Sequence, residues 1–205
     1  MYIIASILVC LSILSFTFIL DPVYKNNENR FLTGSMLLLC PILWSLPTLT
    51  LESRLHINAF ALFSIFMLVL TLIWCRGVTL KLLGLIIFSG MAFFISMIIL
   101  TFLSVRIPQW ILAVILGTLC MYISDGVTEG FVFGLNAIWI FELVAGIWDI
   151  FGSKGVSFDF ASMTPYAAMC GICTFSLKCF AGILTNAKCK IHNAQLKKKN
   201  QSVFQ

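Results

Sequence analysis

The residues best suited to chemistry in this chain are four carboxylates between positions 124 and 151. Asp125, Glu129, Glu142 and Asp149 make up half of the eight acidic residues. The four hydrophobic runs that precede them contain no acid. A carboxylate in apolar surroundings must reach water, a cation, a hydrogen-bond donor or a partner protein, because burial of an unpaired charge is costly. The sequence therefore predicts that this stretch makes the functional contacts.

Asp125 and Glu129 are four residues apart, a spacing that places them on one face of a helix. Asn136 falls near the same face if the helix continues through Gly126 and Gly130. Like charges at this spacing repel unless a cation, a proton or a basic partner joins them. Two interpretations stay open, an ion or proton site and a solvated connecting loop, and the sequence favours the loop.

Glu142 and Asp149 are seven residues apart, again on one helical face. Pairing with Lys154 or Lys178 inside the bundle, or pairing across a subunit contact, is the simpler interpretation. A transport pathway lined by these acids is the alternative.

A possible metal site is suggested by the pair Cys170-Gly-Ile-Cys173, which Cys189 and His192 follow along the chain. Thiolate and imidazole are the usual zinc ligands. The first pair, however, lies within the apolar segment AAMCGICTFSL, where thiolates are poorly solvated. Redox work by this pair is a second alternative, and the sequence favours inert thiols with no metal.

Enzymatic activity is not predicted. The chain contains no phosphate-binding loop, nucleophile elbow, zinc-protease helix or dinucleotide fingerprint, and it has only two histidines. No cofactor is expected.

The elements that must position these residues are membrane helices. The chain has 205 residues, of which 60% are hydrophobic and 10% are charged, whereas a soluble domain has roughly 25% charged residues. A soluble core of this size cannot hide so much apolar surface, so lipid must solvate most of it. We expect an all-α fold, a polytopic integral membrane helical bundle.

Four transmembrane helices are expected before Pro108. The first has no positive leading segment and no small-residue cleavage site, so we expect a retained helix rather than a removed signal peptide. The second contains Pro41 and Pro47, which predict a kink. The predicted spans cover residues 1–20, 31–51, 57–75 and 82–105.

The segments after Pro108 are harder to place in a bilayer. The apolar run 109–123 is short for an independent crossing. Residues 131–151 are long enough, but each acid at the midplane costs about 2.5–3.5 kcal/mol. Pro165 and Lys178 interrupt a last apolar region, 161–184. Either four spans carry a C-terminal helical portion, which is the favoured architecture, or six or seven crossings enclose the acids.

Three regions follow from this reading. Residues 1–108 form a four-helix transmembrane domain, 109–187 form an apolar, partly membrane-associated helical region with acidic residues, and 188–205 form a basic polar tail. Juxtamembrane lysines are attracted to anionic lipid by about 1 kcal/mol each, and they favour a cytoplasmic C-terminus. No aromatic interleaving supports direct nucleic-acid binding. The lysines of this lipid- or partner-contacting tail are Lys188, Lys190, Lys197, Lys198 and Lys199.

Basic residues in the short loops favour a cytoplasmic location for the first and third loops. That location agrees with a cytoplasmic tail only if the number of spans is odd. With the favoured four spans, the loop charges and the basic tail therefore predict opposite orientations.

The overall plan resembles that of KwaA proteins, the membrane subunits of the Kiwa antiphage defence system. The resemblance lies in the length, the closely spaced N-terminal spans, the acid-bearing C-terminal part and a composition rich in Phe, Ile, Leu, Ser, Asn and Lys that is typical of mobile genes. It implies a non-enzymatic oligomer of the bacterial inner membrane, with a tetramer as the implied size. Such an oligomer would detect phage attack and relay it to a cytoplasmic DNA-binding partner. The resemblance rests on no signature motif, so it assigns no role to any particular residue of this chain.

Three functions are therefore considered for this chain. The first is a membrane sensor and anchor that oligomerises and couples a membrane perturbation to a cytoplasmic effector. The second is a small ion or solute channel or transporter that uses the intramembrane acids. The third is a structural assembly factor for a larger membrane complex.

Overall fold

The computed structural model describes residues 2–17, 24, 27–51, 55–74, 78–151 and 158–203. Within these residues the chain forms seven helices joined by short connections, which confirms the all-α prediction. The helices are α1 (Tyr2–Phe16), α2 (Asn27–Trp44), α3 (Ala59–Trp74), α4 (Val78–Leu103), α5 (Gln109–Ile123), α6 (Val127–Phe151) and α7 (Phe160–Val203).

A small three-stranded sheet accompanies the helices, and the sequence analysis did not predict it. Strands β1 (Leu49–Leu51) and β2 (Leu55–Ile57) are antiparallel, and β3 (Phe158–Asp159) pairs with β2 in parallel. The predicted second span, 31–51, is therefore wrong at its C-terminal end. The helix ends at Trp44, and the chain turns into the first strand through a segment that contains Pro47, because proline cannot continue the hydrogen-bonding of a helix.

Among the described residues, three helical stretches are long and apolar enough to cross a membrane: Leu80–Leu103, Val127–Asp149 and Phe160–Ile191. Helices α1, α2, α3 and α5 are apolar but shorter. The membrane prediction is thus supported, whereas the four N-terminal spans are not, since only α4 belongs to that set. The other two candidates contain the acids, Pro165 and Lys178 that argued against crossing.

The reason for this difference is the burial of α6. In its hydrophobic stretch, 61% of the residues are buried inside the protein, and every residue from 131 to 139 is buried. The enclosed part of α6 does not present its polar groups to lipid, and Glu142 and Asp149 lie in the less buried part that follows it. The insertion penalty holds at the bilayer midplane, whereas Asp149 lies at the end of the candidate span.

Helices α4 and α6 run in the same direction, with a constant offset of 48 residues between facing positions. Lys81 faces Glu129, and the Ser89 hydroxyl donates a hydrogen bond to the Ala137 carbonyl at 3.1 Å. Further along, the rings of Phe93 and Phe141 lie 5.8 Å apart.

Helix α7 runs against α6 in the opposite direction, in close backbone contact. A Cβ atom at Gly134 would lie 2.8 Å from the Cα of Gly171 and 2.7 Å from the Thr174 hydroxyl. Gly130 and Gly134 form a GxxxG pair, a spacing that lets membrane helices approach closely. At the far end of this contact, Trp139 meets Phe160 with ring centroids 5.7 Å apart.

These contacts define two ends of the bundle, here called the Lys81 end and the Glu142 end. At the Lys81 end, the Thr33 and Thr128 hydroxyls are 2.5 Å apart, which brings the start of α2 to the start of α6. At the Glu142 end, the Asn58 amide donates to the Thr164 hydroxyl at 2.5 Å, which brings the start of α3 to the start of α7. Consecutive helices therefore alternate in direction.

Helix α7 continues without interruption through Pro165 and Lys178, which interrupt the apolar sequence but not the helix. Asp159 caps the helix, since its carboxylate accepts a hydrogen bond from the Ser162 backbone at 3.1 Å. Pro165 lies close to this start, and the Thr164 hydroxyl donates to the Phe160 carbonyl at 3.1 Å beside it. The proposed division of the chain at residues 108 and 187 stays a prediction.

Candidate functional site

The Lys81 end holds a partly buried ion-pair cluster. The Lys81 ammonium lies 2.6 Å from the Asp125 carboxylate and 2.8 Å from that of Glu129. The side chains of Lys81 and Glu129 are only 17% and 7% exposed, whereas Asp125 is 72% exposed. A lysine from α4 thus joins the two carboxylates, which is the basic partner that their spacing requires.

Glu129 has a second role at the beginning of α6. Its other carboxylate oxygen accepts a hydrogen bond from the Asp125 backbone at 2.9 Å. An acid in the first turn also faces the positive end of the helix dipole. The cluster therefore fixes the connection between α5 and α6 and ties it to α4.

Lys178 belongs to the same end of the bundle. Its ammonium donates to the Ser124 carbonyl, and its stem lies beside Gly130. Glu142 lies twelve residues beyond Gly130 along α6, about 18 Å away at 1.5 Å per residue, and Asp149 lies further still. The predicted pairing of Lys178 with Glu142 or Asp149 is therefore wrong. Lys154, the other expected partner, lies outside the described residues.

Asn136 is separated from Asp125 and Glu129, because Asp125 precedes α6 and the Asn136 side chain faces α3. The Asn136 amide donates to the Ser64 carbonyl at 3.0 Å and to the Val132 carbonyl at 2.8 Å. The Trp139 indole donates to the Ser64 hydroxyl at 2.7 Å. Asn136 therefore fastens α3 to α6 inside the core and does not extend the acidic site.

A second polar site is a cleft of about 440 Å³ at the Glu142 end, between α4, α5, α6 and the start of α7. Glu142 and Asp149 both line it, as their seven-residue spacing predicts, and Arg106 lines it from the α4–α5 connection. Glu142 is half-buried and accepts a hydrogen bond from the Asp159 backbone, whereas Asp149 and Arg106 are exposed. The cleft thus combines one guanidinium with two carboxylates.

The thiols that the structure describes do not assemble into a metal site. Cys170 is fully buried, and the Cys173 sulfur lies 3.8 Å from the Val114 carbonyl. Cys189 lies nineteen residues after Cys170 on the same helix, about 28 Å along its axis, and His192 lies further along that helix. Among the described residues, no group of three or more potential ligands could hold a metal ion.

The tail lysines continue on α7. Lys188 and Lys190 are exposed, and the helix extends to Val203, past Lys197, Lys198 and Lys199. The last three lysines have side chains outside the described set. A single helix therefore joins the buried core to the basic tail.

Sequence reasoning missed two participants in these sites. Neither Lys81 nor Arg106 was predicted to contribute to a site. A basic residue at the start of a long apolar helix could have been proposed as the partner of the Asp125–Glu129 pair. The GxxxG spacing of Gly130 and Gly134 could have predicted the close packing of α6.

Comparisons with protein-family models, with curated proteins and with solved structures find no match to this chain.

Proposed function

We propose that this protein is a non-enzymatic subunit of a bacterial inner membrane that senses a membrane perturbation and passes it to a soluble cytoplasmic partner. Membrane subunits of the Kiwa type, which the layout resembles, would work in this way. The single observation that carries the proposal is the continuity of α7 from the core to the basic tail.

The length of α7 supports such a relay. The helix has 44 residues, which corresponds to about 66 Å at 1.5 Å per residue, whereas the hydrocarbon core of a bilayer is about 30 Å thick. About half of the helix can therefore project beyond the lipid. Since Gly134 and Gly171 hold α7 tightly against α6, a shift in the core would move the projecting part.

The distribution of charge supports a cytoplasmic location of the Lys81 end. Arg30, Lys81 and Lys178 lie at this end, and α7 continues from it towards the tail lysines. Glu142 and Asp149 lie at the other end. The positive-inside rule places the basic end in the cytoplasm. The loops and the tail jointly require an odd number of crossings. The three described helices that are long and apolar enough to cross meet this requirement, and so would all seven helices of the described residues.

The exposed apolar surface supports an oligomer within the bilayer. Large side chains on α4, such as Leu80, Phe102 and Leu103, are more than half exposed. Helices α1, α3 and α5 are short for lipid on all sides, and neighbouring subunits in a closed ring would shield them. A tetramer is the size that the resemblance implies.

The test is phage plating on cells that carry the gene with its neighbouring genes. Neutralising the five tail lysines to glutamine should abolish protection while the amount of protein in the membrane stays unchanged. Replacing Arg106 with glutamine, at the opposite end, should leave the relay intact. Undiminished protection by the tail variant would contradict the proposal.

A small ion or solute transporter is the second candidate, because Glu142 and Asp149 line a cleft between candidate membrane helices. This function predicts that the double variant Glu142→Gln/Asp149→Asn slows flux into liposomes. Flux equal to that of the unmodified protein would exclude it.

A further inference from the structure

The cleft at the Glu142 end has the composition of a headgroup site. Its polar lining carries opposite charges, with Arg106 on one side and Glu142 and Asp149 on the other. In the part of the chain that the structure describes, no ion pair joins Arg106 to either acid. The space between them can therefore receive a ligand that carries both signs of charge.

The charge balance of the cleft favours a ligand with a cationic group as well as an anionic one. The negative charges of Asp149 and Asp159 both act on Glu142, so the acids outweigh the one guanidinium. A guanidinium binds phosphate oxygens through paired hydrogen bonds. A primary ammonium has three donors that carboxylates can accept.

The apolar lining includes aromatic rings. The ring of Trp148 lies edge-on to Phe93 and Phe94, with centroids 6.2 and 5.8 Å apart. Met97 and Leu100 continue this wall along α4. Such a surface accommodates the first part of an acyl chain, and tryptophan is common at the depth of lipid headgroups.

The position of the cleft matches that depth. Asp149 is the last residue of one candidate span, and Leu103, three residues before Arg106, is the last of another. A volume of about 440 Å³ is in the range of small-ligand sites, roughly 300–1,000 Å³. It fits a headgroup with the beginning of its chains.

We propose that the cleft lined by Arg106, Glu142, Asp149 and Trp148 binds one phospholipid whose headgroup carries a phosphate and a primary ammonium, as in phosphatidylethanolamine. Arg106 holds the phosphate, the two carboxylates hold the ammonium, and the aromatic wall packs against an acyl chain. This site is independent of the relay through α7.

Native mass spectrometry of the full-length protein, purified and offered defined lipids, tests the proposal. We expect retention of phosphatidylethanolamine to exceed that of phosphatidylcholine and phosphatidylglycerol by about tenfold. Phosphatidylcholine lacks ammonium N–H donors, and phosphatidylglycerol lacks a cationic group. Glu142→Gln/Asp149→Asn should reduce phosphatidylethanolamine to the level of phosphatidylcholine. Arg106→Gln should weaken all three lipids, and Asp125→Asn, at the opposite end, should change none.

A variant that preserves every charge guards against misfolding as the cause of lost binding. Ala145→Phe places a ring in the cleft and should expel the lipid while the protein stays monodisperse. Equal retention of the three lipids would overturn the proposal. So would a preference for phosphatidylethanolamine that survives either the double acid variant or Ala145→Phe.

Discussion

Replacement of Lys81 by methionine should destabilise the protein by leaving a carboxylate buried without its partner. Methionine keeps most of the apolar stem and removes the ammonium. Glu129 is 7% exposed, and loss of one partner of a buried pair costs about 3–5 kcal/mol. Because Glu129 keeps the hydrogen bond from the Asp125 backbone and Asp125 is 72% exposed, we expect the lower end, about 3 kcal/mol.

A double-mutant cycle assigns this cost to the pair of charges. Lys81→Met/Glu129→Gln should recover most of the loss, since a buried amide needs no counter-charge. Asp125→Asn should cost less than about 1 kcal/mol, as exposed ion pairs do. The free energy of unfolding in mixed micelles, followed by circular dichroism, gives the coupling energy. A Lys81→Met cost below about 1 kcal/mol, or one that Glu129→Gln does not relieve, would refute the reasoning.

Three further predictions concern packing, ionisation and orientation. Gly134→Ala should cost about 1–3 kcal/mol of unfolding free energy through overpacking against α7, whereas Gly90→Ala, with nothing within 4 Å of its added carbon, should be neutral or stabilising; equal effects would contradict the close approach. Burial raises the pKa of Tyr24 to about 12, so an absorbance titration should show a late tyrosine ionisation near that pH. The contribution of Tyr24 to stability should be complete below pH 10 and fall as the pH approaches 12; a Tyr24→Phe variant that retains this late ionisation would contradict the assignment. A membrane-impermeant thiol reagent should label Arg106→Cys in intact cells and Cys189 only after permeabilisation. Labelling of both in intact cells would contradict the placement of these two positions on opposite sides of the membrane.

Composition was enough to predict a helical chain with candidate membrane spans, and it could not predict which helices are long and apolar enough to cross. The insertion cost applied to residues 131–151 assumes that each acid faces lipid at the bilayer midplane. In the fold, neighbouring helices enclose the apolar middle of α6, and Asp149 lies at the end of the candidate span. Just before that stretch, Lys81 offsets the charge of Glu129. Such compensation depends on contacts between residues 48 positions apart, which local patterns do not contain.

The sequence was enough to predict which acidic residues line the candidate sites, and it could not predict which other residues join them there. The spacing of Glu142 and Asp149 placed both on one cleft, because helical periodicity is local. The same argument failed for Asn136, since α6 begins after Asp125 and the amide turns towards Ser64. The sheet was missed because strands of two or three residues carry too little alternation to distinguish them from a loop.

The most direct test of the relay through α7 is phage plating with the Ala187→Pro variant. Proline at this exposed position breaks the helix between the core and the tail, without changing a charge or a core contact. We predict normal membrane levels and loss of protection, with Ala187→Ser as the control that retains it. Full protection by Ala187→Pro would contradict transmission along a continuous α7.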